Sequence, residues 1–296
     1  MNATEFPAAV WGMLPTPFST DGRRVCRVSL ESLTREMLAR GCTGTIALGV
    51  IGEPGALSLD EKLTVLDTVV EVSGGAPVVA TVMSLDGATA TAEIDAITAA
   101  FAKSLAAVMI PVRSADPAVV RRSILDVHEH SGLPVLVQDL PSATGISIEI
   151  DALIAALNGL DSALWGVKSE AAPTFWRIRR ILQEMETTVM AGNGGIGLVD
   201  DHLAGATWTA AGISRPEIIV GAVRWLTEGK INRAQEVLDS ASALISLETQ
   251  SSTSIGIRKE HWRRQGVIDS ASVRFPTVPY HPEFGIHSAR QGLEAS

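Results

Sequence analysis

Short apolar runs recur along the chain, and each gives way to a longer stretch whose apolar positions fall three and four residues apart. The short runs predict β-strands near 11–17 (WGMLPTP), 44–50 (GTIALGV), 77–83 (PVVATVM) and 106–112 (AAVMIPV). Four more are predicted near 134–140 (PVLVQDL), 164–169 (LWGVKS), 187–192 (TTVMAG) and 206–211 (ATWTAA). The stretches between them predict helices, among them SLESLTREMLARG, LSLDEKLTVLDTVVEVSGG and DPAVVRRSILDVHEHSG. The first should start on Ser29 and stop at Gly41, a residue suited to the left-handed position past a helix end. Successive strands lie mostly about 30 residues apart, the length of one βα unit.

Eight such units without a long polar linker predict an α/β chain closed into a (β/α)8 TIM barrel over residues 1–212. An open doubly wound sheet is the competing arrangement, but eight units close more naturally than they spread. Helical patterns continue at 217–227, 230–247 and 253–265, so residues 213–275 are expected to add a C-terminal extension of about three helices to the same unit. Residues 276–296 hold three prolines and little periodicity, and read as a tail.

Composition narrows the picture. Hydrophobic residues make up 46% of the 296 but aromatics only 4%, so the core must be built from Ala, Val, Ile and Leu. That mixture suits buried parallel strands under Ala-rich helices. A net charge of −9 argues against a nucleic-acid binder, which would present a basic face. Cys26 and Cys42 are the only cysteines, with no CxxC or Cys/His spacing; lone thiols fit a reducing cytoplasm and no metal site. The N-terminus carries Glu5 and no basic segment ahead of an apolar run, and no apolar run reaches the ~18 residues of a membrane span. A cytoplasmic protein without a membrane partner is expected.

Against this background Lys168 is out of place, because Leu164, Trp165, Gly166 and Val167 lead directly into it. Burying an ammonium costs several kcal/mol unless it is paired. Reactive groups of a (β/α)8 barrel sit where strands end, and Lys168 ends the sixth. Spacing leaves two uses open: a neutral amine attacking a carbonyl to form a Schiff base, or an ammonium paired with Glu170. Gly192, Gly194 and Gly197 have GxGxxG spacing, but near the seventh strand instead of the first βα unit. They predict a tight loop at the barrel mouth and no NAD; no cofactor is expected. Gly49, Gly52 and Gly55 shape a strand-to-helix turn whose exposed backbone N–H groups would suit a carboxylate or a phosphate. Arg113, past the fourth strand, is a candidate anion binder. His128 and His130 do not share a helix face and precede Gly132, which favours a capping role.

Taken in order, LPTPF (14–18), LGVIGE (48–53), DLPSATG (139–145), GVKSEAAP (166–173), AGNGG (191–195), GATWTAAGISRPEI (205–218) and KEHWRRQGVIDSASVRFP (259–276) carry a resemblance. The chain resembles the dihydrodipicolinate synthase/N-acetylneuraminate lyase family of class I aldolases over roughly residues 8–275. The resemblance implies a barrel with three C-terminal helices and a homotetramer. It places Lys168 on the lysine that condenses with the keto group of pyruvate or another 2-oxo acid. The imine then stabilises the carbanion of C–C cleavage, condensation or dehydration. The Val50–Ile51 backbone would seat the substrate carboxylate, with Gly192 and Asn193 beside it.

The departures are as informative. Gln138 stands where the family carries a proton-relaying tyrosine, and an amide cannot give up a proton at accessible pH. Val50 and Ile51 replace the hydroxyl residues of its GTTGE-like loop, Val112 and Arg113 stand where a second tyrosine is usual, and Ala143 replaces an arginine that holds an aldehyde substrate's carboxylate. These changes argue against the dihydrodipicolinate synthase reaction itself. They imply a 2-oxo acid lyase in which Gln138 orients substrate or water, with Asp139, Glu170 or water as replacement acid. The alternative is a family member that binds a 2-oxo acid without turnover, as a regulatory protein.

Overall fold

The computed structural model describes residues 8–294. Eight parallel strands close in sequence order, β1 (Ala9–Met13), β2 (Gly44–Ala47), β3 (Val78–Thr81), β4 (Ala107–Pro111), β5 (Val135–Asp139), β6 (Leu164–Ser169), β7 (Val189–Ala191) and β8 (Trp208–Ala211), with β8 pairing back on β1. The first strand stops four residues short of its expected end. Pro15 and Pro17 have no N–H for the ladder and turn the chain out of the sheet.

Helices cover the barrel, and local chemistry sets their ends. Ser58 and Glu61 form a reciprocal capping box on helix Leu59–Val72, Asp116 caps Pro117–Ser131, and Gly132 ends that helix at φ 66°. His128 Nδ1 lies 2.9 Å from Leu133 O in the same turn. The first helix begins at Arg27, two residues before Ser29. The Ser29 hydroxyl is engaged elsewhere, donating to Asp269 at 3.0 Å.

The side chains form two apolar layers. Outward-facing Val and Ile residues pack against the helices, while inward-facing ones fill the barrel. Three of the tryptophans, Trp11, Trp165 and Trp208, plug the inside with ring centroids 4.6–5.4 Å apart. This floor leaves only the opposite end, where the strands terminate, as a mouth.

Beyond β8 come helices Pro216–Thr227, Ile231–Ser240, Ser242–Glu248 and Ser254–Arg264; the helix expected over 230–247 is broken at Ala241. The segment read as a tail is docked. It carries a turn at Pro282–Phe284 and a short helix at Gly285–Ala289, and Leu293 is buried. Arg264 Nη2 donates to the Tyr280 hydroxyl at 3.0 Å, and Ser288 Oγ lies 2.8 Å from His261 Nε2. Residues 1–7 and the end of that segment, 295–296, lie outside the described residues. Among the described residues no helix is long and apolar enough to cross a membrane.

Candidate active site

Register explains how Lys168 comes to face inward. Simple alternation along β6 would put Trp165 and Lys168 on opposite faces. Val135 pairs with Leu164 but Leu136 pairs with Gly166, so β6 carries a bulge at Trp165. The bulge resets the alternation, letting Trp165 fill the floor and Lys168 enter the mouth. Gly166 permits it, since a Cβ there would lie 2.6 Å from Thr188 O.

Opposite Lys168 on β5 is Gln138. Both side chains converge on Glu170, just past the end of β6: Lys168 Nζ lies 3.0 Å from Glu170 Oε2, and Gln138 Nε2 donates to the same oxygen at 2.7 Å. The Asn193 backbone N–H donates to Glu170 Oε1 at 3.2 Å. A Cβ at Gly192 would overlap the Glu170 side chain, so glycine at 192 makes room for this carboxylate. Gln138 Oε1 is buried without a partner.

These groups line a cavity of about 490 Å³ with Met13, Val50, Ile51, Leu140, Ala143, Ala210 and Gly212. Val50–Gly52 is one turn of 3₁₀ helix whose first N–H groups have no partner within the turn. Leu48 (φ 60°) and Glu53 (φ 55°) bracket it, and Asn193 (φ 55°) sits beside Glu170. A left-handed backbone at non-glycine residues is strained, and these are the described non-glycine residues that adopt it.

Of the residues expected at a site, Lys168, Gln138, Val50, Ile51 and Asn193 line this cavity, with Gly192 packed behind Glu170. Arg113 does not join them. The chain has left β4 at Pro111, so strand alternation no longer directs its side chain. The guanidinium instead lines a separate cleft with Gly87, Asp126 and His130, 3.4 Å from Val82 O. Asp139 faces the outer layer, where Arg177 holds it at 2.7 Å. Burial pushes the Asp139 carboxyl above the usual range, against the pull of Arg177. Its role is to brace, which leaves Glu170 as the carboxylate in the mouth.

Arg258 is the cavity residue that local sequence reasoning missed. It comes from helix Ser254–Arg264, beyond the barrel, and is 7% exposed. Its Nε has no hydrogen-bond partner. Burial lowers its proton affinity, opposed by the charges of Glu248 and Glu170. Ser251 and Ser254 line the same wall with Thr249, whose hydroxyl donates back to Ile245 O at 2.7 Å. Among the described residues no three His, Cys, Asp or Glu side chains group as metal ligands. Cys26 and Cys42 are free thiols, and burial pushes Cys42 up to about 12.

Chemically, the mouth offers an amine, a carboxylate within proton-transfer reach of it, and an amide that fixes the carboxylate. This is a (β/α)8 barrel with a lysine-centred pocket at the ends of its strands. The chain belongs to the dihydrodipicolinate synthetase family, whose sequence model matches residues 7–287. It is 30% identical over 231 residues to a 4-hydroxy-tetrahydrodipicolinate synthase of Methanosphaerula palustris, covering 74% of this chain and 77% of that one. A synthase of the same name from Natronomonas pharaonis is 24% identical, over 93% and 92% of the two chains. The solved dihydrodipicolinate synthase of Rhodopseudomonas palustris superposes with a TM-score of 0.85 at 22% identity, covering 99% and 97%. The sialic acid aldolase of Ruminococcus gnavus gives 0.86 at 15%, over 97% of each chain, and its catalytic lysine mutant gives 0.87. At such identities these three structures attest the shared fold.

Proposed function

We propose that the protein is a Schiff-base-forming lyase acting on a 2-oxo acid, with Lys168 as nucleophile and Glu170 as its proton acceptor and donor. The reading rests on one observation: a strand-end lysine, 3% exposed, lines a cavity with its Nζ 3.0 Å from a carboxylate that an amide also grips. That the Ruminococcus gnavus aldolase has a catalytic lysine supports it.

In this reading the substrate carboxylate sits on the Val50–Ile51 backbone and its keto carbon faces Nζ. Glu170 takes a proton from the ammonium, and the free amine adds to the keto carbon. The carbonyl oxygen gains one proton from that nitrogen and a second from Glu170, then leaves as water, and the protonated imine remains. The imine accepts the electron pair of the bond broken next, C–C in an aldol cleavage or C–H ahead of a dehydration. Glu170 is then again a base. Gln138 cannot relay a proton but holds Glu170 in place. With Ala143 in the wall and Gln138 at the relay position, condensation of pyruvate with aspartate semialdehyde should be absent or far below the ordinary enzyme median of ~10 s⁻¹. The family resemblance favours a homotetramer, and the two lone thiols fit a reducing cytoplasm.

A 2-oxo acid-binding protein without turnover is the second reading. The chain's one tyrosine, Tyr280, is engaged with Arg264 and Ser288, so the cavity has no phenol. Borohydride trapping with a panel of 2-oxo acids, read by intact mass, tests the imine. One adduct per wild-type chain and none on Lys168→Ala supports the proposal, and equal labelling of both overturns it. Turnover assays on the trapped acids separate the two readings.

A further inference from the structure

Helix Ser254–Arg264 is polar in sequence yet buried from Gly256 to Trp262. Most of its charged side chains there are matched. Lys259 pairs with Glu53, Glu260 with Arg263 and Arg264, and His261 Nδ1 lies 2.5 Å from Glu248 Oε1. Arg258 is the exception, because no carboxylate comes within 4.0 Å of it among the described residues and its Nε is unpaired. An uncompensated buried charge costs several kcal/mol. A guanidinium presents five donors in a planar fork, so this is costly unless something else accepts them.

The unused fork belongs to the wall of the Lys168 cavity, in company with Thr249, Ser251 and Ser254. Ser254 also opens the helix, whose N-terminal end favours negative charge. Gly194, at φ 66°, holds its backbone close: a Cβ there would lie 2.8 Å from Thr249 Cγ2 and 3.6 Å from Arg258 Nη2. A planar monoanion matches a guanidinium fork flanked by hydroxyls. A phosphate dianion fits less well, because the charges of Glu248 and Glu170 are felt at Arg258.

We propose that Arg258 receives a second carboxylate at the far end of the substrate, so that the substrate class is a 2-oxo dicarboxylic acid. The proposal rests on the 2-oxo acid reading above for which end enters first: the 2-oxo end goes to Val50–Ile51 and Lys168, the distal carboxylate to Arg258, Ser251 and Ser254. Arg258 thereby sets which chains the pocket accepts and leaves the chemistry to Lys168.

The test compares length-matched pairs, 2-oxoadipate with 2-oxohexanoate and 2-oxoglutarate with 2-oxopentanoate, by half-saturation of borohydride trapping. Wild type should favour the dicarboxylate of at least one pair by roughly tenfold or more, the scale of a charge-assisted hydrogen-bonded pair. Arg258→Met should erase that ratio, and Arg258→Lys should keep part of it. Calorimetry of adipate and glutarate on the Lys168→Ala protein, with and without Arg258→Met, reads the same fork without an imine. If trapping fails for every acid but these diacids bind through Arg258, the lyase reading fails and the anion site stands. If no diacid is preferred in either assay, or the preference survives in both Arg258 variants, the proposal is overturned.

Discussion

Lys168 and Lys259 are almost equally withdrawn from water, at 3% and 0% exposure, yet their surroundings differ in kind. Lys259 is closed in. It pairs with a fully buried Glu53, donates to Ser272 O at 3.0 Å and lies 4.1 Å from the centre of the Phe18 ring. Burial pulls its ammonium down to about 8 despite the Glu53 charge. Glu53 also accepts from the Arg274 backbone N–H at 2.8 Å, so this lysine clasps the C-terminal segment to the Val50–Gly52 turn. Lys168 has one anion at 3.0 Å and otherwise faces a cavity large enough for a small acid. The contrast separates two uses of a buried lysine. Closure on every side makes a clasp, and one open side fits the nucleophile proposed for Lys168.

The comparison can be broken at several points. The largest effect is expected from Glu170→Gln, which keeps the shape but cannot exchange a proton with Lys168. Imine formation should slow by ~10²–10⁴-fold, the usual span of acid–base catalysis. Stopped-flow trapping at a saturating 2-oxo acid measures it, and an unchanged rate would remove Glu170 from the mechanism. Lys259→Met comes next. Breaking a buried ion pair by removing one partner should cost about 3–5 kcal/mol in a denaturant melt. The double variant Glu53→Gln/Lys259→Met should recover part of it. The chains that remain folded should still trap on Lys168.

Gln138→Tyr sharpens the same contrast at the open side. Tyrosine is bulkier than glutamine and displaces the amide that grips Glu170, so overpacking should cost about 1–3 kcal/mol and lower turnover. A variant that gains activity on pyruvate beside an inert wild type would instead mark the site as a decayed relay.

The smallest effect is expected at Asp201, a buried charge whose partner is a hydroxyl. It is 1% exposed, accepts from Thr174 Oγ1 at 2.6 Å, and burial raises it to about 6. Its folded value lies above its unfolded one, so the folded state holds more protons between about pH 4 and 6. The burial cost is therefore complete above pH 6 and vanishes below about 4. Asp201→Asn should raise stability by roughly 1–2 kcal/mol at pH 7–8 and by nothing near pH 4 in thermal melts. A gain that is equal at both pH values would exclude the linkage.

Much of this architecture was legible in the chain, for a physical reason. Barrel strands are buried on both faces and read as apolar runs, so a lysine ending one of them stands out without structural help. Its strand-end place and the family resemblance pointed Lys168 inward, but alternation alone would set it opposite Trp165, and the bulge that reconciles the two was not legible. Arg258 was hidden for another reason. The neighbourhood IRKEHWRR is locally a run of charges, and what buries it comes from far along the chain, Glu53 for Lys259 and Ser288 for His261. Tyr280 and Leu293 likewise looked like parts of a loose end until the partners that dock them were in place.

The central claim, that an open side and not burial makes the nucleophile, is tested most directly by locating the trapped group. Wild-type protein is reduced with borohydride in the presence of each 2-oxo acid, digested, and the modified lysine identified by tandem mass spectrometry. The account predicts a single adduct on the peptide containing Lys168 and none on Lys259, with a mass gain equal to that of the trapped 2-oxo acid less one oxygen, since imine formation loses water and reduction adds two hydrogens. An adduct on Lys259, or on several exposed lysines with Lys168 unmodified, would contradict it.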